Sequence, residues 1–164
     1  MAEDYFKIRI AKSVRLAVPL TYIETVVSVE PRSICPIPGV RGDFLGVVNR
    51  RGNLTWVLDL SRYLGLGYFP HHPGREVTAV VVANRSYAEG GDGAEPKRYL
   101  ACAVEELEGA FAATRTKAIA KPMKPKLQKL FAKVAYQGAR GIAILEPTAL
   151  FRDLHGPVPD LTAP

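Results

Sequence analysis

Apolar and polar residues alternate along most of the chain, and that alternation predicts many short strands and little helix. Phe6, Ile8 and Ile10 alternate with Lys7 and Arg9, and after Ala11-Lys12-Ser13, Val14, Leu16 and Val18 alternate with Arg15 and Ala17. The pair reads as a hairpin of half-buried strands. Thr21-Tyr22-Ile23-Glu24 fits a Thr-x-x-Glu capping box and predicts one helical turn after Pro19. The β-branched run Thr25 to Val29 is a strand that stops before Pro31. Pro31, Pro36 and Pro38 make residues 30–42 an extended, irregular connection. Further on, Val77 to Ala83 reads as a buried strand and Tyr99 to Val104 as its return. Glu105 to Gly109 reads as a turn before a strand at Ala110 to Thr114, and residues 119–125 as a basic, proline-broken connection.

The stretch from Thr21 to Leu66 organises the rest. In its centre two apolar runs flank a polar segment, Asn49-Arg50-Arg51-Gly52-Asn53. This is a β-hairpin pattern with a five-residue loop, too long for a two-residue turn. Gly52 accepts positive φ without steric cost. Leu54, Trp56 and Leu58 alternate with Thr55, Val57 and Asp59, so one face of the second strand is strongly apolar. Asp59 is placed to cap a short helix that Gly65 closes. Arg50-Arg51 puts two cations at the tip. Taken alone, such a pair belongs to a solvated turn.

A second hairpin, Val134 to Leu145, copies this grammar. Val47 to Leu64 lies over Val134 to Phe151 without a gap: Val57 falls on Ile144, Leu58 on Leu145 and Asp59 on Glu146. Pro147 stands at the first position of the helix that follows. The repeat and the short strands predict a mainly β protein of two small barrels packed together, with short helices. Their expected bounds are residues 1–66 with the C-terminal helix 147–155, and residues 77–145.

Composition adds limits. The 164 residues are 48% hydrophobic and 23% charged, an ordinary globular balance. A chain of this length buries roughly 70% of its unfolded surface, so it needs no disulfide or metal staple. Cys35 and Cys102 stand in apolar runs and read as small buried hydrophobes. The acidic start, Met1 to Tyr5, lacks a signal peptide's apolar run, and no segment is long enough to span a bilayer. The expected place is the cytoplasm, without membrane insertion. The net charge of +6 admits an acidic partner, nucleic acid or an anionic membrane surface. Arg115, Lys117, Lys121, Lys124, Lys126, Lys129 and Lys133 concentrate that charge, but without the interleaved aromatics of single-strand binding they read as a solvated connection.

Catalytic chemistry is sparse. No Ser-His-Asp or Cys-His frame, dinucleotide motif or phosphate loop is visible, and no cofactor is implied. His71-His72 has no Cys or acidic ligand at metal spacing, and Gly90-Gly91-Asp92-Gly93 reads as a hairpin tip. Glu105, Glu106 and Glu108 are candidate general acids, though adjacent carboxylates on a turn are more often solvent-facing charge. The residues alone point to a β-barrel binding module. A basic nucleic-acid-binding barrel is the competing reading, and a small enzyme ranks last.

The stretch Thr21 to Leu66 resembles the CheW-like family, the coupling proteins of bacterial chemotaxis. The matching residues are Ile23 to Val26, Ile34-Cys35-Pro36-Ile37-Pro38, Gly46-Val47-Val48-Asn49-Arg50-Arg51-Gly52 and Val57-Leu58-Asp59-Leu60. Ala103 to Leu107 and Ala143 to Pro147 fit the family's second half more loosely. The resemblance implies two five-stranded SH3-like barrels and no catalysis. It implies an adaptor that joins the cytoplasmic tip of a methyl-accepting chemoreceptor to the regulatory domain of a CheA-like histidine kinase. Arg51 falls on the family arginine that organises the receptor–kinase contact. Asn49 and Gly52 shape that loop, with Arg50 beside them, and Asp59 caps the next helix. By the same resemblance, the surface around Ile23, Thr25 and the connection from Pro38 through Val40 to Asp43 would face the kinase, and the groove between barrels would take the receptor helix. Arg50 replaces the family's usual Leu, Thr25 a common Glu and Trp56 a usual Pro. These departures leave open whether the pathway is flagellar chemotaxis, pilus-based twitching motility or phototaxis.

Overall fold

The computed structural model describes residues 3–67, 74–84 and 98–155. The His71-His72 pair and the Gly90 to Gly93 segment lie outside the described residues. The strands are β1 (Asp4–Ile10), β2 (Val14–Pro19), β3 (Ile23–Val29), β4 (Phe44–Arg50), β5 (Asn53–Asp59), β6 (Val77–Ala83), β7 (Tyr99–Val104), β8 (Glu106–Ala112), β9 (Arg115–Ala118), β10 (Lys133–Gln137) and β11 (Arg140–Ile144). The helices are α1 (Leu60–Tyr63), α2 (Pro125–Leu130) and α3 (Pro147–His155).

One sheet has the order β8-β1-β2-β11-β10-β9 and the other β3-β6-β7-β5-β4. The same device closes each. The bent stretch β8–β9 borders β1 on one side and β10 on the other. Downstream of β3, Cys35 bridges Val47 of β4: the Cys35 N–H donates to the Val47 carbonyl at 2.8 Å, and the Val47 N–H donates back at 2.9 Å. The molecule is therefore mainly β, with two SH3-like barrels.

The predicted repeat holds in register. Val47 pairs with Trp56 in one hairpin and Val134 with Ala143 in the other. Trp56 then lies parallel beside Leu100, as Ala143 lies parallel beside Leu16. The sheets nevertheless partition the chain differently from the expected bounds. Residues 23–104 supply one sheet, and the N-terminal hairpin β1–β2 joins β8–β11 in the other. Hydrophobic period reports which face of a strand is buried but not which distant strand lies beside it.

Three apolar clusters follow from this arrangement. Val29, Ile34, Val48, Val57, Val77 and Val81 fill one barrel. Tyr5, Ala17, Phe111, Ala135, Ile142 and Ile144 fill the other. The largest cluster lies between them, where Ile8, Leu16 and Val18 meet Leu58, Val80 and Leu100 beneath Leu60, Leu130, Leu150 and Leu154 of the helices.

Several local expectations change. The turn at Leu20–Tyr22 is a 3₁₀ turn without a side-chain cap, and Glu24 belongs to β3, so the capping box does not form. Glu106 to Gly109 belongs to a strand, not a turn. The basic segment contributes β9, whose residues are all exposed and so leave no alternation to read. Cys35 is exposed and Cys102 buried, and both are free thiols. Cys35 is exposed because the barrel-closing segment engages β4 through its backbone.

Candidate functional site

The β4–β5 hairpin is tighter than its sequence suggests. Arg50 pairs with Asn53, so only Arg51 and Gly52 form the turn, not the expected five residues. Their φ angles are 50° and 85°, both positive, as a type I′ turn between twisted strands requires. Polar side chains at Asn49, Arg50 and Asn53 do not end the ladder, because strand pairing is a backbone interaction. The Asn49 Oδ1 accepts a hydrogen bond from the Gly52 N–H at 2.9 Å and ties the turn to β4.

The two tip arginines have different environments. Arg51 is exposed and holds a left-handed backbone conformation that is costly for a residue with a Cβ. Arg50 is half-buried, with its guanidinium 5.6 Å from the centre of the Tyr99 ring. Its Nε is buried without a hydrogen-bond partner among the described residues. Arg50 thus covers the end of the barrel near Val48, and Arg51 alone projects from the turn.

Leu54, opposite Asn49, is 66% exposed. Leu54, Trp56 and Leu58 share one face of β5 and grade from exposed through half-buried to fully buried. Trp56 packs on Phe44 at 5.1 Å between ring centres, and both belong to the core between the barrels or pack on it. An apolar stripe therefore runs from that core to the tip beside Arg51. Leu54 was absent from the site expected from sequence, although its place in the alternation next to Asn53 was the signal.

The remaining expected site residues are elsewhere. Ile23 is half-buried against the core between the barrels. Thr25 is exposed on β3, where the pairing with β6 is irregular. Val40 packs on the same core. Asp43 stands at the start of β4, about 23 Å along the strand from the tip. It faces inward, with its Oδ2 2.9 Å from Arg41 Nη2 and its backbone carbonyl accepting the Asp59 N–H at 2.8 Å. Asp59 is buried and accepts the Arg62 N–H at 3.2 Å, so it caps α1 as expected. The expected residues thus form a tip group and a base group, with Ile23 and Thr25 on an edge strand.

A charged cluster pins the base. The Tyr63 hydroxyl donates to Asp153, Lys126 Nζ lies 3.8 Å from both Asp153 and the Tyr63 ring centre, and Arg41 Nη1 lies 3.8 Å from Asp153. Burial, then the hydrogen bond to Asp153, pushes the Tyr63 phenol well above its usual range. These contacts join the 36–43 connection, α1, α2 and α3 across the seam. The acidic trio is also paired: Glu105 and Glu106 with Arg9, and Glu108 with Arg15 at 2.7 Å. Cross-strand ion pairs account for these carboxylates better than acid catalysis does. Among the described residues no three His, Cys, Asp or Glu residues are grouped to hold a metal ion. No helix there is long and apolar enough to cross a membrane.

Residues 4–155 match the family model described as the CheW-like domain. No curated protein matches the sequence. Among solved structures, the scaffolding protein TtCheW from Thermoanaerobacter tengcongensis superposes with a TM-score of 0.69 at 15% identity, covering 89% of this chain and 90% of that one. At that identity the likeness speaks for the fold.

Proposed function

Because the chain belongs to the CheW-like domain family, we propose that it is a non-catalytic adaptor of a chemotaxis-type signalling pathway in the cytoplasm. It couples the cytoplasmic tip of a methyl-accepting chemoreceptor to the regulatory domain of a CheA-like histidine kinase. Family membership supports the pathway. The observation that carries the adaptor reading is Arg51, an exposed arginine held in a left-handed conformation at a rigid tip. Backbone strain at an exposed position points to a use for that position. Arginine is also among the residues that most often dominate interface energies. Leu54 and Trp56 supply apolar contact beside it, and Asn49 and Gly52 hold the turn. Arg50 acts by bracing the tip from within. Ile23 and Thr25 present the edge strand to the kinase, while Val40 and Asp43 support that surface from the base. The receptor helix lies along the open rim of the seam between barrels, because the space within is already filled.

The test is co-elution with the kinase regulatory domain and a receptor cytoplasmic fragment. Arg51→Ala should weaken assembly about tenfold or more while circular dichroism and the urea midpoint show an intact fold. A folded Arg51→Ala protein that assembles normally removes the role given to the tip.

A further inference from the structure

Residues 109–145 carry eight of the chain's 22 cations and none of its 16 acids. The rest of the chain is therefore net acidic, and the whole positive excess sits in β9, α2, β10–β11 and their connections. Lys117, Lys121, Lys124, Lys129 and Lys133 are exposed. Of the segment's lysines, only Lys126 is held in an ion pair among the described residues, to Asp153. The loop after β9 folds back on the segment that follows α2, with the Ile119 N–H donating to the Ala132 carbonyl at 2.9 Å. Loop and helix border an open, mixed polar and apolar cleft of about 300 Å³, with Ile119, Met123 and Phe131 beside Lys121 and Gln128 in its wall. The three apolar residues belong to, or pack on, the core between the barrels, so that core backs the cleft. It is a recess with cationic surroundings, separate from the β4–β5 tip.

We propose that this face docks an acidic peptide segment of a partner protein. One apolar side chain of the segment enters the cleft, and flanking carboxylates pair with Lys121, Lys124 and Lys129. Charge complementarity selects an anionic partner and speeds encounter. Shape then separates the anionic candidates. Membrane-surface elements insert protruding apolar side chains, whereas here the apolar atoms are recessed and suit a knob carried by the partner. Single-stranded nucleic acid needs open aromatic faces, but the neighbouring Tyr136 ring is covered by Arg115 at 4.2 Å. The proposal stands apart from the role given to Arg51, because it uses no residue of the β4–β5 tip.

Fluorescence anisotropy on the full chain tests it with four probes: a short Asp/Glu peptide with one central Leu, the same peptide with Ser for Leu, a single-stranded DNA, and vesicles containing phosphatidylglycerol. The Leu peptide should bind, with affinity falling as salt rises, and Ser should weaken it about tenfold. Lys121→Glu/Lys129→Glu should abolish binding, whereas the charge-matched Arg32→Glu/Arg75→Glu should preserve it. Ala120→Trp, which fills the cleft without changing charge, should bring the Leu peptide down to the Ser level. No peptide binding, equal binding of the two peptides, equal losses in the two double variants, or tighter binding of DNA or vesicles would each overturn the proposal.

Discussion

Gly46 shows how one residue can serve a contact that its neighbours in sequence do not reveal. Its φ is 144°, and a Cβ there would lie 2.2 Å from the Cys35 carbonyl oxygen. That oxygen accepts the Val47 N–H in the bridge that closes the barrel. From sequence Gly46 reads only as the start of a hairpin, because the atom it must avoid belongs to the proline-rich connection. Gly46→Ala should cost about 3 kcal/mol or more, combining backbone strain with loss of the bridge. Urea midpoints and faster exchange at the Val47 amide would report it, and an unchanged midpoint would refute the close approach. Cys102 carries a different prediction, one of pH. Burial pushes its thiol from 9.0 to about 12, so the folded chain keeps a proton that the unfolded chain gives up. Stability is then full below pH 9 and falls as pH rises toward 12, by at most about 1.4 kcal/mol per pH unit. Burial, then the hydrogen bond to Glu3, raises the Tyr5 phenol from 10.0 to about 12, and this adds the same sense of change from pH 10 upward. Urea midpoints for Cys102→Ala should therefore stay level to about pH 10, whereas the parent begins to decline near pH 9.

The two equivalent hairpins share register but not turn chemistry. One turns on Arg51 and Gly52, with φ of 50° and 85°, and the other has φ of 61° at Gly138. A glycine costs little in that region, whereas Arg51 carries about 1 kcal/mol of strain. Arg51→Gly should accordingly raise stability by up to about 1 kcal/mol while still losing partner binding, so that the two readouts move in opposite directions. A loss of stability in this variant would show that the turn is not strained. The hairpins were legible because Leu54, Trp56 and Leu58 alternate cleanly with their neighbours. The loop length was not, since the polarity of Asn49 and Asn53 says nothing about their backbone pairing. The strand character of Glu106 to Gly109 was hidden for a related reason. Its acids are answered by Arg9 and Arg15 across the sheet, and such pairing leaves no mark on local hydrophobicity. Within the candidate site, the positive φ of Gly52 was legible, because turn chemistry is local. The inward face of Asp43 was not, because it depends on Arg41 and on the arrival of Asp59.

At the scale of the molecule, the doubled grammar of Val47 to Leu64 and Val134 to Phe151 is a repeat whose second copy takes two of its strands from the upstream hairpin β1–β2. In the first barrel β3, β4, β5, β6 and β7 follow in order. In the second, β8–β9, β10 and β11 take the places of β3, β4 and β5, and the N-terminal β1–β2 takes the place of β6–β7. The join is parallel: Ala143 and Ile144 lie beside Leu16 and Ala17, and the Leu145 N–H donates to the Ala17 carbonyl at 2.9 Å. No local pattern announces a pairing between strands so distant in sequence, which is why the expected boundary near residue 66 crossed both barrels. The interleaving has a direct test. A permutant that joins the end of α3 to the start of β1 by a Gly/Ser linker of sufficient span, and opens the chain at Leu20-Thr21, keeps every strand pair and makes each barrel contiguous. It should fold to the same circular dichroism spectrum and unfold in one transition, because the core between the barrels still couples them. The fragment 1–66 contains pieces of both sheets and completes neither, so it should remain unfolded. A folded 1–66 fragment, or a permutant without native structure, would contradict the interleaved arrangement. The linkage of the two barrels would then depend on chain order and not on the faces they bury against each other.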